Sequence, residues 1–312
     1  MKIGVNILLG VRPELGRPHR YAEVREMATV AEAAGFDSIW LYDHLMYRYP
    51  GQSTRGIWEC WTMLAALADA THDVDLGTLV LCNQFRNPAI LAKMAATADE
   101  VSGGRLILGI GAGWHEPEFQ AFGMPFDHRV ARFEEALQII APLLRTGHVD
   151  FSGRYYQARD CEILPRGPRP QGPPLLIAGG GPRMLRLTAQ HADLWNPVEY
   201  LSAPEKFPEH HAKLRAACED AARDPSTLGL TALVAVSFPD LGEAPTPWAI
   251  PAYLSGSTDE ISSAIRRFEE LGVSHIMFHC APYNMSALER LADAARMFRG
   301  RRAGMEISPG QN

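Results

Sequence analysis

From Lys2 to Arg299 the chain reads as short apolar strands alternating with longer amphipathic helices, and few folds accommodate that pattern. Strands are expected at Lys2–Leu8, Ser38–Tyr42, Asp75–Leu81, Arg105–Leu108, Pro174–Ala178, Asp193–Asn196, Leu230–Ser237 and Ser274–Phe278. Helices are expected over Arg20–Ala34, Trp61–Thr71, Pro88–Val101, Val130–Arg145, Pro182–His191, Glu205–Arg223, from the Ser257 cap to Leu271, and over Ser286–Arg299. Pro88 and Pro182 suit a first helical turn, where no amide partner is lost. Gly35 and Gly272 suit helix ends, and Ser257-Thr-Asp-Glu260 has the spacing of a capping box. A strand followed each time by a helix predicts a closed (β/α)8 TIM barrel, with an open doubly wound sheet as the alternative. The longest connections are Met46–Trp58, His115–Arg129 and Pro239–Leu254, and Val149–Gln157 reads as a small hairpin turning at Ser152-Gly153. One domain is expected over residues 1–302, followed by a disordered tail over 303–312.

Composition narrows the function classes. A formal net charge of -6 argues against a general nucleic-acid binder, which needs a basic face. The five cysteines, Cys60, Cys82, Cys161, Cys218 and Cys280, show neither disulfide nor zinc spacing, so no metal is expected and a reducing, cytoplasmic setting is. The first residues are too soon broken by Pro13 to act as a signal peptide, and no run approaches membrane-spanning length.

In a TIM barrel the chemistry lies at the C-terminal ends of the strands. Three segments there stand out. Gly104-Arg-Leu-Ile-Leu-Gly-Ile-Gly-Ala-Gly-Trp-His115 runs a strand into a corner where Gly109, Gly111 and Gly113 remove every second side chain. Such a corner either lets a flat ligand lie against the main chain or packs tightly against a helix. It is not a dinucleotide fingerprint, because Trp114 stands where the last glycine belongs and Pro117 interrupts the helix that should follow. Asp43-His44 ends the second strand; the histidine is suited to proton transfer or to capping a loop, and the aspartate to a ligand or to the backbone. Gly179-Gly180-Gly181-Pro182 joins a strand to a helix N-terminus, where free amides and the helix dipole favour an anion, with Arg183 in the first turn as a charged contact. His279 and Cys280 end the last strand near the same mouth.

Taken together, Gly35–His44, Gly77-Thr78 with Arg86-Asn-Pro88, Gly104–His115, Phe151–Tyr155, and Ala178–Gly181 with Ala192-Asp193 resemble the bacterial luciferase-like flavin/deazaflavin oxidoreductase superfamily. The Asp43-His44 pair and the Gly-Trp-His corner look most like its F420-dependent branch. The resemblance implies a barrel holding coenzyme F420, or alternatively FMN, and a hydride exchanged with a small organic substrate. It makes His44 the residue of the redox step. Asp43, Cys82, Ala112 and Gly113 become contacts of the ring system, and Gly179, Gly180, Gly181 and Arg183 the phosphate turn. Trp114, His115 and His279 are then candidates for the substrate pocket. Some deazaflavin-dependent sugar-phosphate dehydrogenases carry a glutamate proton donor where this chain has Trp114. That departure leaves His44, His115 or Glu116 as the acid. Arg48 and Arg55 are candidates for the anionic glutamyl tail of F420. The resemblance also implies a bulge and a non-prolyl cis peptide near Leu79-Val80, and a homodimer. A reductase is implied as a partner supplying reduced cofactor. The alternative activity is a two-component FMNH2-dependent monooxygenase, and a non-catalytic flavin-binding barrel is a third reading.

Overall fold

A computed structural model describes residues 1–12, 15–197, 199–242, 250 and 252–306, the last six by backbone alone. Eight parallel strands form its centre: β1 (Lys2–Asn6), β2 (Ser38–Leu41), β3 (Asp75–Thr78), β4 (Leu106–Gly111), β5 (Leu175–Ala178), β6 (Leu194–Asn196), β7 (Gly229–Ser237) and β8 (Val273–Ala281). They pair in chain order, and the ring closes in two places. Lys2 lies opposite His275 where β1 meets β8, and Leu176 lies opposite Gly109 where β5 meets β4. The expected closed barrel is therefore the fold, and the open doubly wound sheet is excluded.

Among the described residues eight helices cover the outside: α1 (Tyr21–Ala33), α2 (Cys60–Ala70), α3 (Pro88–Val101), α4 (Arg129–Thr146), α5 (Pro182–His191), α6 (Phe207–Asp220), α7 (Thr258–Glu270) and α8 (Met285–Glu306). Their starts follow local chemistry. Asn87 Oδ1 accepts from the amides of Ala89 and Ile90 just ahead of Pro88, and Ser257 and Glu260 close a reciprocal box at α7. α8 carries residues 303–306 of the expected tail; 307–312, with residues 243–249 and 251 of the third long connection, lie outside the described residues. Two antiparallel hairpins stand apart from the barrel, one pairing Met46–Tyr47 with Arg55–Gly56 and the other His148–Ser152 with Gln157–Glu162. No helix among the described residues is long and apolar enough to cross a membrane.

The strands are buried on both faces, as parallel strands are. Ile3, Val5, Ile39, Leu41, Leu106 and Leu108 face the helices in one large core. Inside the barrel a second cluster gathers Trp40, Leu79, Ile107, Leu176, Leu233 and Met277. Trp40 is completely buried there, and its indole has room because Gly4 and Gly77 on the flanking strands have no Cβ to meet it. Its Nε1 donates to Ser38 Oγ at 2.7 Å, and that hydroxyl lies 2.6 Å from His275 Nε2. The buried indole N–H and the Ser38 hydroxyl are thereby paired, as burial requires.

Two strands depart from the sequence pattern. The expected Asp75–Leu81 strand breaks after Thr78, and Leu81–Cys82 pairs separately with β4 at Ile110-Gly111. The intervening Leu79-Val80 peptide is cis, as the resemblance implied. β4 runs on to Gly111 instead of ending at Leu108, and its glycines face this bulge. A Cβ on Gly109 would overlap the Thr78 carbonyl oxygen, and one on Gly111 would lie 2.9 Å from Val80 Cγ2. At these two positions the glycines admit the neighbouring strand.

Candidate active site

A cavity of about 590 Å³ opens at the C-terminal ends of the strands. That volume lies in the range of roughly 300–1,000 Å³ typical of small-molecule sites. Leu79, Val80 and Leu81 of the bulge line it, with the backbone corner Gly111–Trp114, the Tyr42–His44 segment after β2, and His279 of β8.

His44 is held by a residue that the sequence reading did not single out. Its Nδ1 lies 2.9 Å from Glu118 Oε1, while Glu118 Oε2 accepts from the Leu45 amide at 2.9 Å. Glu118 is buried, in the short helix Glu116–Ala121, and its carboxylate ties the loop after β2 to the loop after β4. A carboxylate on Nδ1 fixes the proton there and leaves Nε2 as the nitrogen open to the cavity. Tyr47 and Trp114 pack around the ring, at centroid distances of 4.4 and 5.5 Å. The Glu-Pro-Glu run offered two carboxylates in one turn, and only docking of the short helix decides between them. Glu116 is exposed, accepts from Gln120 and does not line the cavity.

Asp43 borders the cavity, but its carboxylate is turned away to the protein. Oδ2 accepts from the Cys82 amide at 2.9 Å and from Arg86 at 2.8 Å, and Oδ1 from Arg86 at 3.1 Å. Arg86 also pairs with Glu59. Burial pushes the Asp43 carboxyl upward and the Arg86 charge opposes it. Asp43 thus orients the backbone and the Arg86 network. Cys82, Ala112 and Gly113 line the cavity together; burial raises the Cys82 thiol, and its sulfur occupies the space that a Cβ on Gly113 would need.

His115 does not line the cavity. Its Nε2 accepts from the Arg48 amide at 3.1 Å, and its ring sits against Tyr47 and Tyr49, so it anchors the 46–56 hairpin. Trp114 and His279, by contrast, do line it, with Trp114 still 55% exposed. The glycine turn lies at the rim, next to Ala178 and Met184, which line the cavity where Gly179, Gly180, Gly181 and Arg183 do not. No side chain caps α5, and a Cβ on Gly181 would meet nothing within 4 Å, so the turn is open beside Gly181. Arg183 is engaged with Glu134 on α4. Neither Arg48 nor Arg55 reaches the cavity: Arg48 bonds Thr54, and Arg55 stacks on Tyr49. The lining arginines are Arg12 and Arg129, the second donating to the Gly113 carbonyl at 2.6 Å. The sequence reading did not single out Arg129, which it placed at the end of the His115–Arg129 connection and which the structure makes the first residue of α4.

The bulge and the adjoining Gly111–Gly113 backbone together form one wall of the cavity, against which a flat ring could lie, and the start of α5 has no side-chain cap. The luciferase-like monooxygenase family profile matches residues 1–271. The chain belongs to that family. Its cavity lies at the C-terminal ends of the strands, where a TIM barrel carries its chemistry. Over 175 residues it is 35% identical to the F420-dependent glucose-6-phosphate dehydrogenase of Amycolatopsis mediterranei (strain U-32), covering 54% of this chain and 50% of that protein. Over 222 residues it is 33% identical to the phthiodiolone/phenolphthiodiolone dimycocerosates ketoreductase of Mycobacterium kansasii, covering 65% and 60%. The chain thus spans between half and three-fifths of the length of these curated relatives. The solved structure of an F420-dependent secondary alcohol dehydrogenase with an F420-acetone adduct superposes with a TM-score of 0.77 at 20% identity, covering 96% of this chain and 99% of that one. That likeness is one of fold.

Proposed function

We propose that this luciferase-like oxidoreductase uses coenzyme F420 to exchange a hydride with a small organic substrate, His44 moving the accompanying proton. The observation that carries the reading is the His44–Glu118 pair at the cavity wall, 2.9 Å apart. The name of the Amycolatopsis relative, which specifies F420, supports the cofactor. When bound, the deazaflavin supplies a two-electron hydride acceptor or donor. The chain's own residues do the rest. The Leu79–Leu81 bulge and the Gly111–Gly113 backbone give the ring a surface to lie on, and the amides of Gly180 and Gly181 receive the phosphate. His44 Nε2 takes the proton released when a substrate hydroxyl is oxidised and returns it in the reverse direction. Glu118 stabilises the imidazolium that forms, and the apolar walls exclude water. A separate reductase regenerates reduced F420 when the enzyme works as a reductase.

Fluorescence quenching on titration with F420 and with FMN tests the cofactor, and turnover of His44→Ala tests the role. F420 is expected to bind, and the variant to keep that affinity while losing roughly 10²–10⁴-fold in turnover, as for a lost acid–base group. Tight binding of FMN without F420 would replace this reading with the two-component monooxygenase. Undiminished turnover of His44→Ala would remove the histidine from the chemistry.

A further inference from the structure

The segments after β2 and β4 are clamped together by two side chains, and Glu118 is only one of them. Its carboxylate accepts from the Leu45 amide at 2.9 Å, and His115 Nε2 accepts from the Arg48 amide at 3.1 Å. His115 is the N-cap of the short helix Glu116–Ala121, and its carbonyl accepts from the Glu118 amide at 3.2 Å. Both grips therefore come from one turn of chain.

What the clamp holds is a wall of the cavity. The hairpin pairs Met46–Tyr47 with Arg55–Gly56, and Tyr47 lines the cavity with its ring 4.4 Å from that of His44. The far strand is fixed to the segment after β1 by backbone alone: the Val11 amide donates to the Gly56 carbonyl at 3.0 Å, and Gly10 pairs with Ile57. The near strand is held to the glycine corner by the two side chains.

The grips differ in chemistry. A carboxylate has lone pairs to spare, whereas an imidazole nitrogen accepts only while it carries no proton. With Nε2 accepting, the neutral ring keeps its proton on Nδ1. A second proton would set Nε2–H against the Arg48 N–H, two donors with no acceptor between them. The surroundings keep that proton off. His115 is 4% exposed, and burial lowers it from 6.5, against the Glu118 carboxylate and together with His44. Its other neighbours are the rings of Trp114, Tyr47 and Tyr49, while Arg55 is turned onto Tyr49 and the Arg48 side chain onto Thr54. Protonation of His44 would tighten its contact with Glu118, so it acts in the opposite direction.

We propose that His115 is a positioning residue: as a neutral imidazole it latches the 46–56 hairpin to the glycine corner and keeps the Tyr47 wall beside His44, and on protonation it lets that wall go. The latch itself needs no cofactor; its effect on F420 binding rests on the F420 reading above. The closed hairpin refuses a proton that the open one accepts near 6.5. The latch is therefore whole above pH 6.5 and weakens as pH falls below it, opening by up to about tenfold per pH unit until the closed form is itself protonated.

The test follows hydrogen exchange at the Arg48 amide of the full chain without cofactor, corrected for the intrinsic rate. Between about pH 7.5 and about pH 5.5, protection in the parent is expected to fall by up to about tenfold. His115→Gln places a carbonyl oxygen where Nε2 stands and does not titrate, so its protection is expected to stay level. His115→Leu loses the acceptor and is expected to be about tenfold less protected at both values, the equivalent of one hydrogen bond. Fluorescence quenching then compares F420 binding to the parent and to His115→Gln at the same pH, which cancels any titration of the cofactor. The two are expected to bind alike at about pH 7.5 and the parent more weakly at about pH 5.5, by the factor that exchange reports. Parental protection that ignores pH, or that falls equally in His115→Gln, overturns the latch. Equal F420 affinities at the lower pH overturn its hold on the cavity. Absence of F420 binding at the higher pH defeats the cofactor reading instead, and exchange still decides the latch. Should His115→Leu fail to fold, the parent and His115→Gln decide.

Discussion

Replacing Gly109 with alanine should destabilise the protein far more than one methyl group suggests. The new Cβ would overlap the Thr78 carbonyl oxygen and lie 3.1 Å from Thr78 C and 3.2 Å from Val80 Cγ1. Two of these atoms are backbone, so no rotamer change relieves the overlap. The same residues share two buried hydrogen bonds: Thr78 O–H donates to the Gly109 carbonyl at 2.7 Å, and the Gly109 amide donates to Thr78 Oγ1 at 3.1 Å. Overpacking typically costs 1–3 kcal/mol, and the two hydrogen bonds about 0.5–1.5 kcal/mol each, giving roughly 2–6 kcal/mol together. At about 2 °C per kcal/mol for a chain of this size, the melting temperature should fall by at least about 4 °C. Urea unfolding and calorimetry measure both quantities. Gly56→Ala is the control, since its Cβ would meet nothing within 4 Å. A Gly109→Ala protein melting within about 1 °C of the parent would show that β3 can withdraw from β4 at no cost, and the packing account of the glycine corner would be wrong.

Glu118→Gln keeps the shape but offers an amide N–H to His44 Nδ1, reversing the tautomer. Turnover should drop roughly 10²-fold or more, with F420 affinity retained in a quenching titration; parental turnover would show that the pair does not matter. Asp43→Asn leaves the half-buried Arg86 with Glu59 alone, so urea unfolding should report a loss near the lower end of about 3–5 kcal/mol, whether or not cofactor is present. For acid stability, burial and the charge of Lys2 lower His275 to about 3 in the fold, from 6.5. The unfolded chain therefore takes up a proton that the native state refuses. This stability is whole above pH 6.5, declines as pH falls below it, and stops declining near pH 3. Between about pH 6 and pH 5 the stability of His275→Gln should change less steeply than that of the parent, by about 1.4 kcal/mol per pH unit, and equal slopes would contradict this.

The legible parts of the chain were those where local chemistry decides. Pro88 after Asn87, and Pro182 after three glycines, marked helix starts that the structure keeps, because proline at the first turn and a side-chain cap act within a few residues. The pattern of residues alone ran the third strand on to Leu81 for the opposite reason, although the family resemblance implied a bulge near Leu79-Val80. Leu79, Val80 and Leu81 are all good strand formers, and what breaks the strand is its fit against Gly109 and Gly111, some 30 residues away. Site residues divide the same way. His44 follows directly from the end of β2, whereas Glu118 acquires its meaning only when the short helix turns it onto a loop 73 residues earlier. Asp43 and His115 are polar residues beside the mouth in sequence, yet a main-chain amide claims each of them before any ligand does.

Trp40 governs traffic as well as packing. With its indole wedged between Gly4 and Gly77, the barrel axis is closed from below, and no ligand can pass through it. The cofactor proposed above and its substrate must use the same doorway at the strand ends. Whichever lies deeper has to enter first and leave last. Steady-state kinetics should therefore show a compulsory sequence of arrival and departure, with the outer ligand acting as a gate on exchange of the inner one.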